Sequence, residues 1–164
     1  MIDLIVLDVD GCLTDGKIIY SNSGDETKAF NVKDGLAIRS WLDLGHKVAI
    51  ITGRKSLVVE RRAKELGITY LHQGIKKKAA LLQNICDENN IALSHVAAIG
   101  DDLNDYNMLE MVGIAFTPAD GSKHLSHLVK QRCEAKGGEG AVREMIEALF
   151  EINDEVSDYL ALWQ

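Results

Sequence analysis

The chain has 164 residues, 46% of them hydrophobic, and a formal net charge of -7. This length and apolar content fit one globular domain with a sizeable core and exclude a disordered or membrane-like composition. The negative charge argues against general nucleic-acid binding, although Lys76, Lys77 and Lys78 leave a local basic patch open. We therefore expect a single folded domain over residues 1–164 that binds no nucleic acid.

The N-terminus and the cysteines indicate the compartment. An acidic residue, Asp3, and only a short apolar run occupy the N-terminus, which lacks the basic and apolar regions of a signal peptide. No stretch is long enough to cross a bilayer. Cys12, Cys86 and Cys133 are odd in number and have no metal-ligand spacing, as expected of reduced thiols. We predict buried, reduced cysteines in a cytoplasmic protein without membrane attachment.

Five short apolar runs are typical of buried strands, and the segments between them repeat apolar residues at helical spacing. Strands separated by single helices imply parallel βαβ units, and hence a three-layer, doubly wound, mostly parallel α/β sheet. The predicted strands are Leu4–Asp8, Val48–Thr52, Tyr70–His72, Val96–Gly100 and Ile114–Phe116.

Glycines and polar residues set the predicted helix ends and one departure from the alternation. The first helix is predicted to begin at Asp34 and stop at Gly45, and the second to stop at Gly67. Residues 17–31 contain two short alternating runs around a polar turn and predict a projecting β-hairpin in place of a separate cap domain. A last helix from Ala141 leads into a C-terminal tail at about residues 153–164.

Acidic residues cluster at the ends of two predicted strands. Asp8 and Asp10 follow the first strand, and Asp101, Asp102 and Asp105 follow a later one. Open α/β sheets place their ligands at these carboxyl ends, so the two clusters can share one site. Carboxylates brought together repel one another unless a proton or a cation neutralises them. An all-oxygen set favours a hard ion, and we predict Mg²⁺.

Four short motifs follow one another in an order that indicates a known superfamily. They are the string DVDGCLTDG at residues 8–16, Thr52 at the end of VAIIT, Lys78 within QGIKKK, and GDDLND at residues 100–105. Together they resemble the motifs of the haloacid dehalogenase-like phosphatases.

That resemblance implies a role for each motif residue. Asp8 would be the nucleophile that forms an aspartyl-phosphate, and Asp10 the general acid and base. Asp8, Asp101 and the backbone carbonyl of Asp10 would hold the metal. The phosphoryl oxygens would be bound by Thr52, Gly53 and Lys78, and Asp102 and Asp105 would orient metal-bound water or Lys78.

Nearly the whole chain resembles one family within that superfamily, the 3-deoxy-D-manno-octulosonate 8-phosphate phosphatases. The likeness includes FNVKDGLAIR, ITGRKS, YLHQG and GGEGAVRE. It implies a Mg²⁺-dependent phosphatase of lipopolysaccharide inner-core biosynthesis that forms homotetramers, in which a neighbouring subunit helps to close the active site. Ile18, Ile19, Tyr20 and Trp163 would then lie at subunit interfaces.

Substrate choice depends on the cation that meets the carboxylate of a phosphorylated sugar acid. Arg54 is the first candidate and Arg62 the second; for Arg54 the alternative is a structural ion pair with Glu65. Relatives that act on nine-carbon sialic or deaminoneuraminic acid 9-phosphates tend to have glutamate at the position of Arg54, which favours the eight-carbon sugar. One departure is Glu139, where the family often has arginine; Lys136 or Arg143 are possible substitutes.

Two interpretations from other classes remain at this point. A receiver-type signalling module also has a doubly wound fold, a phosphorylatable aspartate, a threonine and a lysine. That class normally places its acceptor aspartate on the third strand, and neither VAIIT nor YLH has one. The other interpretation is an oligomeric scaffold with a relic site.

Overall fold

The computed structural model describes the whole chain, Met1–Gln164, and contains one six-stranded sheet and one two-stranded hairpin. The strands, in chain order, are β1 (Leu4–Leu7), β2 (Ile19–Tyr20), β3 (Glu26–Thr27), β4 (Lys47–Ile51), β5 (Tyr70–His72), β6 (Val96–Ile99), β7 (Ile114–Thr117) and β8 (Gln131–Arg132). The large sheet is parallel throughout and has the order β5-β4-β1-β6-β7-β8. The predicted doubly wound α/β fold without a separate cap domain is confirmed.

Helices cover both faces of the sheet. They are α1 (Val32–Asp43), α2 (Leu57–Leu66), α3 (Lys78–Asn89), α4 (Tyr106–Met111), α5 (Ala141–Asn153) and α6 (Val156–Ala161). A core of 26 buried residues lies between the sheet and α1, α2 and α5. A second core of 13 residues lies on the opposite face, under α3 and α4.

The central strand β1 shows why this sequence requires two helical layers. Its four residues, Leu4–Leu7, are all fully buried. Side chains alternate along a strand, so Leu4 and Val6 enter the smaller core, whereas Ile5 and Leu7 enter the larger one. A strand without a polar side chain buries apolar surface on both faces, which is typical of the middle of a parallel sheet.

All five predicted strands are present, and the differences have local causes. The first helix begins two residues before the predicted Asp34, because the Asn31 side chain accepts a 2.8 Å hydrogen bond from the Lys33 amide. Gly45 and Gly67 have φ values of +92° and +78°, and the helices before them end as predicted.

The hairpin and the tail lie at the periphery. Strands β2 and β3 pair antiparallel, and Ile18, Ile19 and Tyr20 are exposed. In the tail, Tyr159 stacks on Phe150 at 4.6 Å between ring centroids. The three cysteines are free and buried, as predicted. None of the helices combines the length and the apolar character that crossing a membrane requires.

Candidate active site

A polar cavity of about 290 Å³ opens at the carboxyl edge of the sheet, and none of the residues that line it is hydrophobic. The cavity contains seven of the ten predicted site residues. Its lining consists of Asp8, Asp10, Gly16, Thr52, Gly53, Arg54, Asp101, Asp102 and Asn104.

The two acidic clusters meet because β1 and β6 are neighbours in the sheet. Leu7 is in register with Ile99, so the residues that follow the two strands emerge side by side. The Asp8 amide donates to the Ile99 carbonyl at 3.2 Å. Carboxylate oxygens of Asp8 and Asp101 and the sulfur of Cys12 all lie within 4.8 Å of one another.

Lys78 joins these clusters through a buried ammonium. Its Nζ donates to Asp8 Oδ1 at 2.7 Å and to Asp105 Oδ1 at 2.6 Å. Lys78 is the first residue of α3 and is 3% exposed. Burial lowers the pKa of Lys78, but the charges of Asp8 and Asp105 outweigh burial and raise the pKa above its usual value. The lysine is therefore charged, and it neutralises part of the carboxylate cluster.

Asp8 and Asp101 nevertheless lack enough positive charge around them to be ionised together. Burial raises the pKa of Asp8 to about 6, with a further contribution from Asp105 and an opposing one from Lys78. Burial, followed by the charges of Asp8 and Asp105, raises the pKa of Asp101 to about 8. Such shifts mean that ionising both groups is unfavourable without an additional cation.

The donor set fits Mg²⁺. Two carboxylates of raised proton affinity and the adjoining backbone provide the oxygen ligands that a hard cation prefers. Cys12 does not belong to this set, because burial raises its pKa well above the usual value and because thiols suit softer metals. Asp8, Asp101 and the backbone carbonyl of Asp10 are the residues that would hold the ion.

Asp105 and Asp102 organise the turn that presents Asp101. Asp105 Oδ2 accepts hydrogen bonds from the amides of Asp101 at 3.0 Å and Asp102 at 3.4 Å. Asp102 Oδ1 accepts from the Leu103 amide at 2.8 Å. A Cβ atom at Gly100 would lie 2.5 Å from the Cβ of Asp105, so this compact turn requires glycine.

The loop after β1 is held against Asp101 by two glycine contacts. Gly11 has a φ of +98°, and a Cβ there would lie 2.0 Å from Asp101 Oδ2. On the other side of this loop, a Cβ at Gly137 would lie 1.8 Å from the Gly11 carbonyl oxygen. The Gly138 amide donates to the Cys12 carbonyl at 2.9 Å. The glycine-rich segment, defined here as residues 136–140, thus supports the loop that contains Asp8 and Asp10.

Thr52, Gly53 and Arg54 form the opposite wall, after β4. Thr52 is 2% exposed, and backbone hydrogen bonds fix it on both sides: its amide donates to His72 and its carbonyl accepts from Ile75. Arg54 Nη2 donates to Tyr20 Oη at 2.9 Å and to Glu26 Oε2 at 3.4 Å.

The two arginines that sequence analysis assigned to the substrate occupy different environments. Arg54 forms an ion pair, as the alternative expected, but its partner is Glu26 at 3.4 Å and not Glu65, which pairs with Arg61 and Arg62. Arg62 does not line the cavity of its own chain. Its guanidinium lies 5.9 Å from the centroid of the Phe30 ring, beside a separate surface depression.

Sequence analysis missed Gly16, Asn104 and Lys28. The first two line the cavity, and both lie inside motifs that it had identified. Lys28 contacts Asp10 Oδ1 and forms a 2.9 Å salt bridge with Glu26 Oε1. A lone lysine in the hairpin gave no signal, since its position depends on how the hairpin returns to the sheet.

Comparisons with known proteins show the family to which the chain belongs. The family model for haloacid dehalogenase-like hydrolases matches residues 70–145. The 3-deoxy-D-manno-octulosonate 8-phosphate phosphatase KdsC of Escherichia coli K12 is 45% identical over 148 residues, which are 90% of this chain and 79% of that protein.

Two solved structures extend the likeness to the whole fold. The 3-deoxy-D-manno-octulosonate 8-phosphate phosphatase of Moraxella catarrhalis, in complex with a magnesium ion, a phosphate ion and KDO, has a TM-score of 0.96 and 40% identity over 99% of this chain and 94% of that one. The cobalt-bound phosphatase of Haemophilus influenzae has a TM-score of 0.88 and 33% identity, covering 92% of this chain and 88% of that one. These similarities exclude the receiver-type interpretation. The chain belongs to the 3-deoxy-D-manno-octulosonate 8-phosphate phosphatases, within the haloacid dehalogenase-like hydrolases.

Proposed function

We propose that the protein is a Mg²⁺-dependent phosphomonoesterase that converts 3-deoxy-D-manno-octulosonate 8-phosphate into the free sugar acid and phosphate, a step of lipopolysaccharide inner-core biosynthesis. The observation that carries the proposal is the meeting of Asp8, Asp101 and Lys78 at one polar cavity. The KDO molecule and the phosphate ion in the Moraxella catarrhalis structure support the choice of substrate.

The proposed reaction has two steps at Asp8. Lys78 binds Oδ1 of Asp8, and the other carboxylate oxygen attacks phosphorus to form an aspartyl-phosphate. Asp10 gives a proton to the leaving sugar oxygen as its bond to phosphorus breaks. Asp10 then accepts a proton from the water that hydrolyses the aspartyl-phosphate, which releases phosphate and restores Asp8.

Phosphate binding uses the other walls of the cavity. Thr52 supplies a hydroxyl, Gly53 a backbone amide and Lys78 a fixed ammonium to the negative phosphoryl oxygens. Mg²⁺ held by Asp8, Asp101 and the backbone carbonyl of Asp10 would supply positive charge that offsets the repulsion between phosphate and Asp8. Asp105 keeps Asp101 and Lys78 in place through its hydrogen bonds, and Asp102 caps the same turn at the Leu103 amide.

Substrate selection is assigned to Arg54. Two observations support this assignment: Arg54 lines the cavity, and Tyr20 and Glu26 hold its guanidinium from the hairpin side. A guanidinium is well suited to bind a carboxylate. Arg62 does not reach this cavity within one chain, and a role on substrate would require a second subunit.

The proposal also covers the oligomeric state of the protein and its compartment. We infer a cytoplasmic homotetramer made of one domain per chain. The exposed hairpin residues Ile18, Ile19 and Tyr20 and the 55% exposed Trp163 support association, and the free cysteines support a reducing compartment.

A panel of sugar phosphates tests the proposal. Among these sugar phosphates, we expect the highest kcat/KM for the eight-carbon 8-phosphate. Asp8→Asn should lower kcat/KM ~10³-fold or more, because that change removes the nucleophile. Arg54→Ala should raise KM for sugar-acid phosphates and leave KM for p-nitrophenyl phosphate unchanged. A higher kcat/KM for the nine-carbon 9-phosphates would contradict the substrate assignment, and full activity of Asp8→Asn would contradict the mechanism.

A further inference from the structure

Lys28 is a buried cation beside the cavity to which the proposed mechanism assigns no role. It lies just after β3, where the hairpin returns to the domain, and its side chain is 1% exposed. A lysine side chain is almost never fully buried unless it is paired, and the partners here are both acidic. One partner is Asp10 and the other is Glu26.

The contact with Asp10 involves one carboxylate oxygen only. The ammonium of Lys28 donates to Asp10 Oδ1, whereas Asp10 Oδ2 makes no hydrogen bond within the chain. The Asp10 side chain is 19% exposed and lines the catalytic cavity. One oxygen of Asp10 is thus fixed by Lys28, and the other has no hydrogen-bond partner within the chain.

The contact with Glu26 extends this arrangement to the substrate-binding wall. Glu26 Oε1 lies 2.9 Å from Lys28, and Glu26 Oε2 accepts from Arg54 at 3.4 Å. A continuous chain of opposite charges therefore joins Asp10, Lys28, Glu26 and Arg54. Because β3 contributes Glu26, the hairpin holds both the proton-transfer group and the arginine assigned to the sugar carboxylate.

We propose that Lys28 is a positioning residue for proton transfer at Asp10. By holding Oδ1, Lys28 fixes the rotation of the Asp10 carboxyl group, so that Oδ2 stays within reach of the oxygen that links sugar and phosphorus. The proton passes from Asp10 to this oxygen as the phosphorus–oxygen bond breaks, and Lys28 itself touches neither substrate nor phosphate. The inference rests on the proposed function of Asp10.

The test compares leaving groups that differ in their need for a proton. A nitrophenolate leaves as a stable anion, whereas phenolate is a poorer leaving group that gains more from an acid. For Lys28→Met, kcat/KM for phenyl phosphate should fall ~10-fold or more, and kcat/KM for p-nitrophenyl phosphate less than about threefold. The ratio kcat/KM reports only the steps up to the first phosphoryl transfer, so the later hydrolysis at Asp10 does not affect the comparison.

Three further variants isolate the role. Lys17→Met removes a 74% exposed lysine that pairs with Asp15 in the same segment, and it should leave both esters unaffected. Lys28→Arg keeps a charged donor and should recover most of the phenyl phosphate activity. Asp10→Asn combined with Lys28→Met should be no slower on phenyl phosphate than Asp10→Asn alone, because Lys28 acts through Asp10.

A purely structural lysine would give other results. Equal losses on both esters, or additive losses in the double variant, would overturn the proposal. If Lys28→Met does not fold, the same comparison of kcat/KM for the two esters is made with Lys28→Gln, and the same criteria apply. Failure of the wild-type protein to hydrolyse either ester would instead count against the proposed function, which keeps the two outcomes distinct.

Discussion

Asp8 and Asp105 both accept from the buried ammonium of Lys78, and Asp101 lies beside Asp8 without a lysine or arginine partner of its own. Charges taken out of water need partners, and one lysine cannot balance three aspartates. The raised pKa values of Asp8 and Asp101, about 6 and about 8, are the consequence. Binding of a divalent cation thus removes an electrostatic conflict that the fold itself creates.

This conflict predicts how stability depends on pH without metal. The folded-state pKa values of Asp8 and Asp101 lie above the ordinary value of 3.8, so the folded state binds more protons than the unfolded state. These two groups therefore contribute a loss of stability as pH rises from about 4 to about 8. We expect Tm measured in EDTA to fall over this range, and Mg²⁺ to raise Tm more at pH 8 than at pH 5.

Asp101→Asn should make the metal-free protein more stable and abolish its stabilisation by Mg²⁺. The amide cannot ionise, so at pH 8 in EDTA we expect Tm to rise by about 3 °C or more. The same variant should lose the increase in Tm that Mg²⁺ gives the wild type. Asp87→Asn, which removes an exposed carboxylate on α3, should show neither effect. A wild-type response to Mg²⁺ in Asp101→Asn would exclude Asp101 as a ligand.

The glycine-rich segment, residues 136–140, determines the geometry of the site from outside the cavity. It packs beneath the loop that connects β1 to the hairpin, with Gly137 against the Gly11 carbonyl and Gly138 donating to Cys12. Asp120 Oδ1 accepts from the Gly137 amide at 3.1 Å and holds the segment from the other side. Glycine at 137 is therefore a packing requirement, independent of the exposed Glu139 two residues later.

Gly137→Ala tests this packing. Its methyl group would lie 1.8 Å from the Gly11 oxygen, so the loop must move and displace Asp10 and the backbone that contacts Asp101. Since a 1 Å misplacement can reduce rate ~10²-fold, we expect kcat to fall ~10- to 100-fold while the protein remains folded by circular dichroism. Glu134→Ala, an exposed change in the same connection, is the control. Unchanged kcat in Gly137→Ala would show that the loop accommodates the methyl group without displacing Asp10.

Elements with a strong repeating pattern could be predicted from the sequence, and contacts between distant elements could not. Strands β1, β4, β6 and β7 are nearly all buried and follow from their apolar runs, whereas the half-buried β5 has only a three-residue run. Strand β8, Gln131–Arg132, has two polar residues, and only its pairing with Phe116 and Thr117 makes it a strand. Likewise, the acidic clusters follow from strand ends, whereas the contact between Lys28 and Asp10 depends on the three-dimensional path of the hairpin.

Two peripheral segments of the molecule each contain several exposed apolar residues. The hairpin exposes Ile18, Ile19 and Tyr20 by 48 to 60%, and the tail exposes Leu160 and Trp163 by 50 and 55%. The cavity itself is open and has no hydrophobic lining or cap domain. An open site and unpaired apolar segments are both accounted for if another copy of the chain packs against them.

Replacement of Ile19 by glutamate tests this association. Ile19 points away from its own core, so Ile19→Glu should leave the fold intact and place a charge in the proposed interface. In sedimentation velocity the wild type should exceed the 18.0 kDa of one chain, and Ile19→Glu should shift towards that mass. Ile152→Glu, on the exposed side of α5, provides a control of the same chemistry.

Activity measurements on the dissociated variant then separate two uses of the interface. If a neighbouring subunit covers only the sugar end of the substrate, Ile19→Glu should raise KM for the sugar-acid phosphate and leave kcat/KM for p-nitrophenyl phosphate unchanged, because every residue proposed to act on phosphorus belongs to one chain. A monomer that retains full activity on the sugar phosphate would mean that the open cavity needs no cover. Equal losses on both substrates would mean that association also holds the hairpin, and with it Lys28, against Asp10.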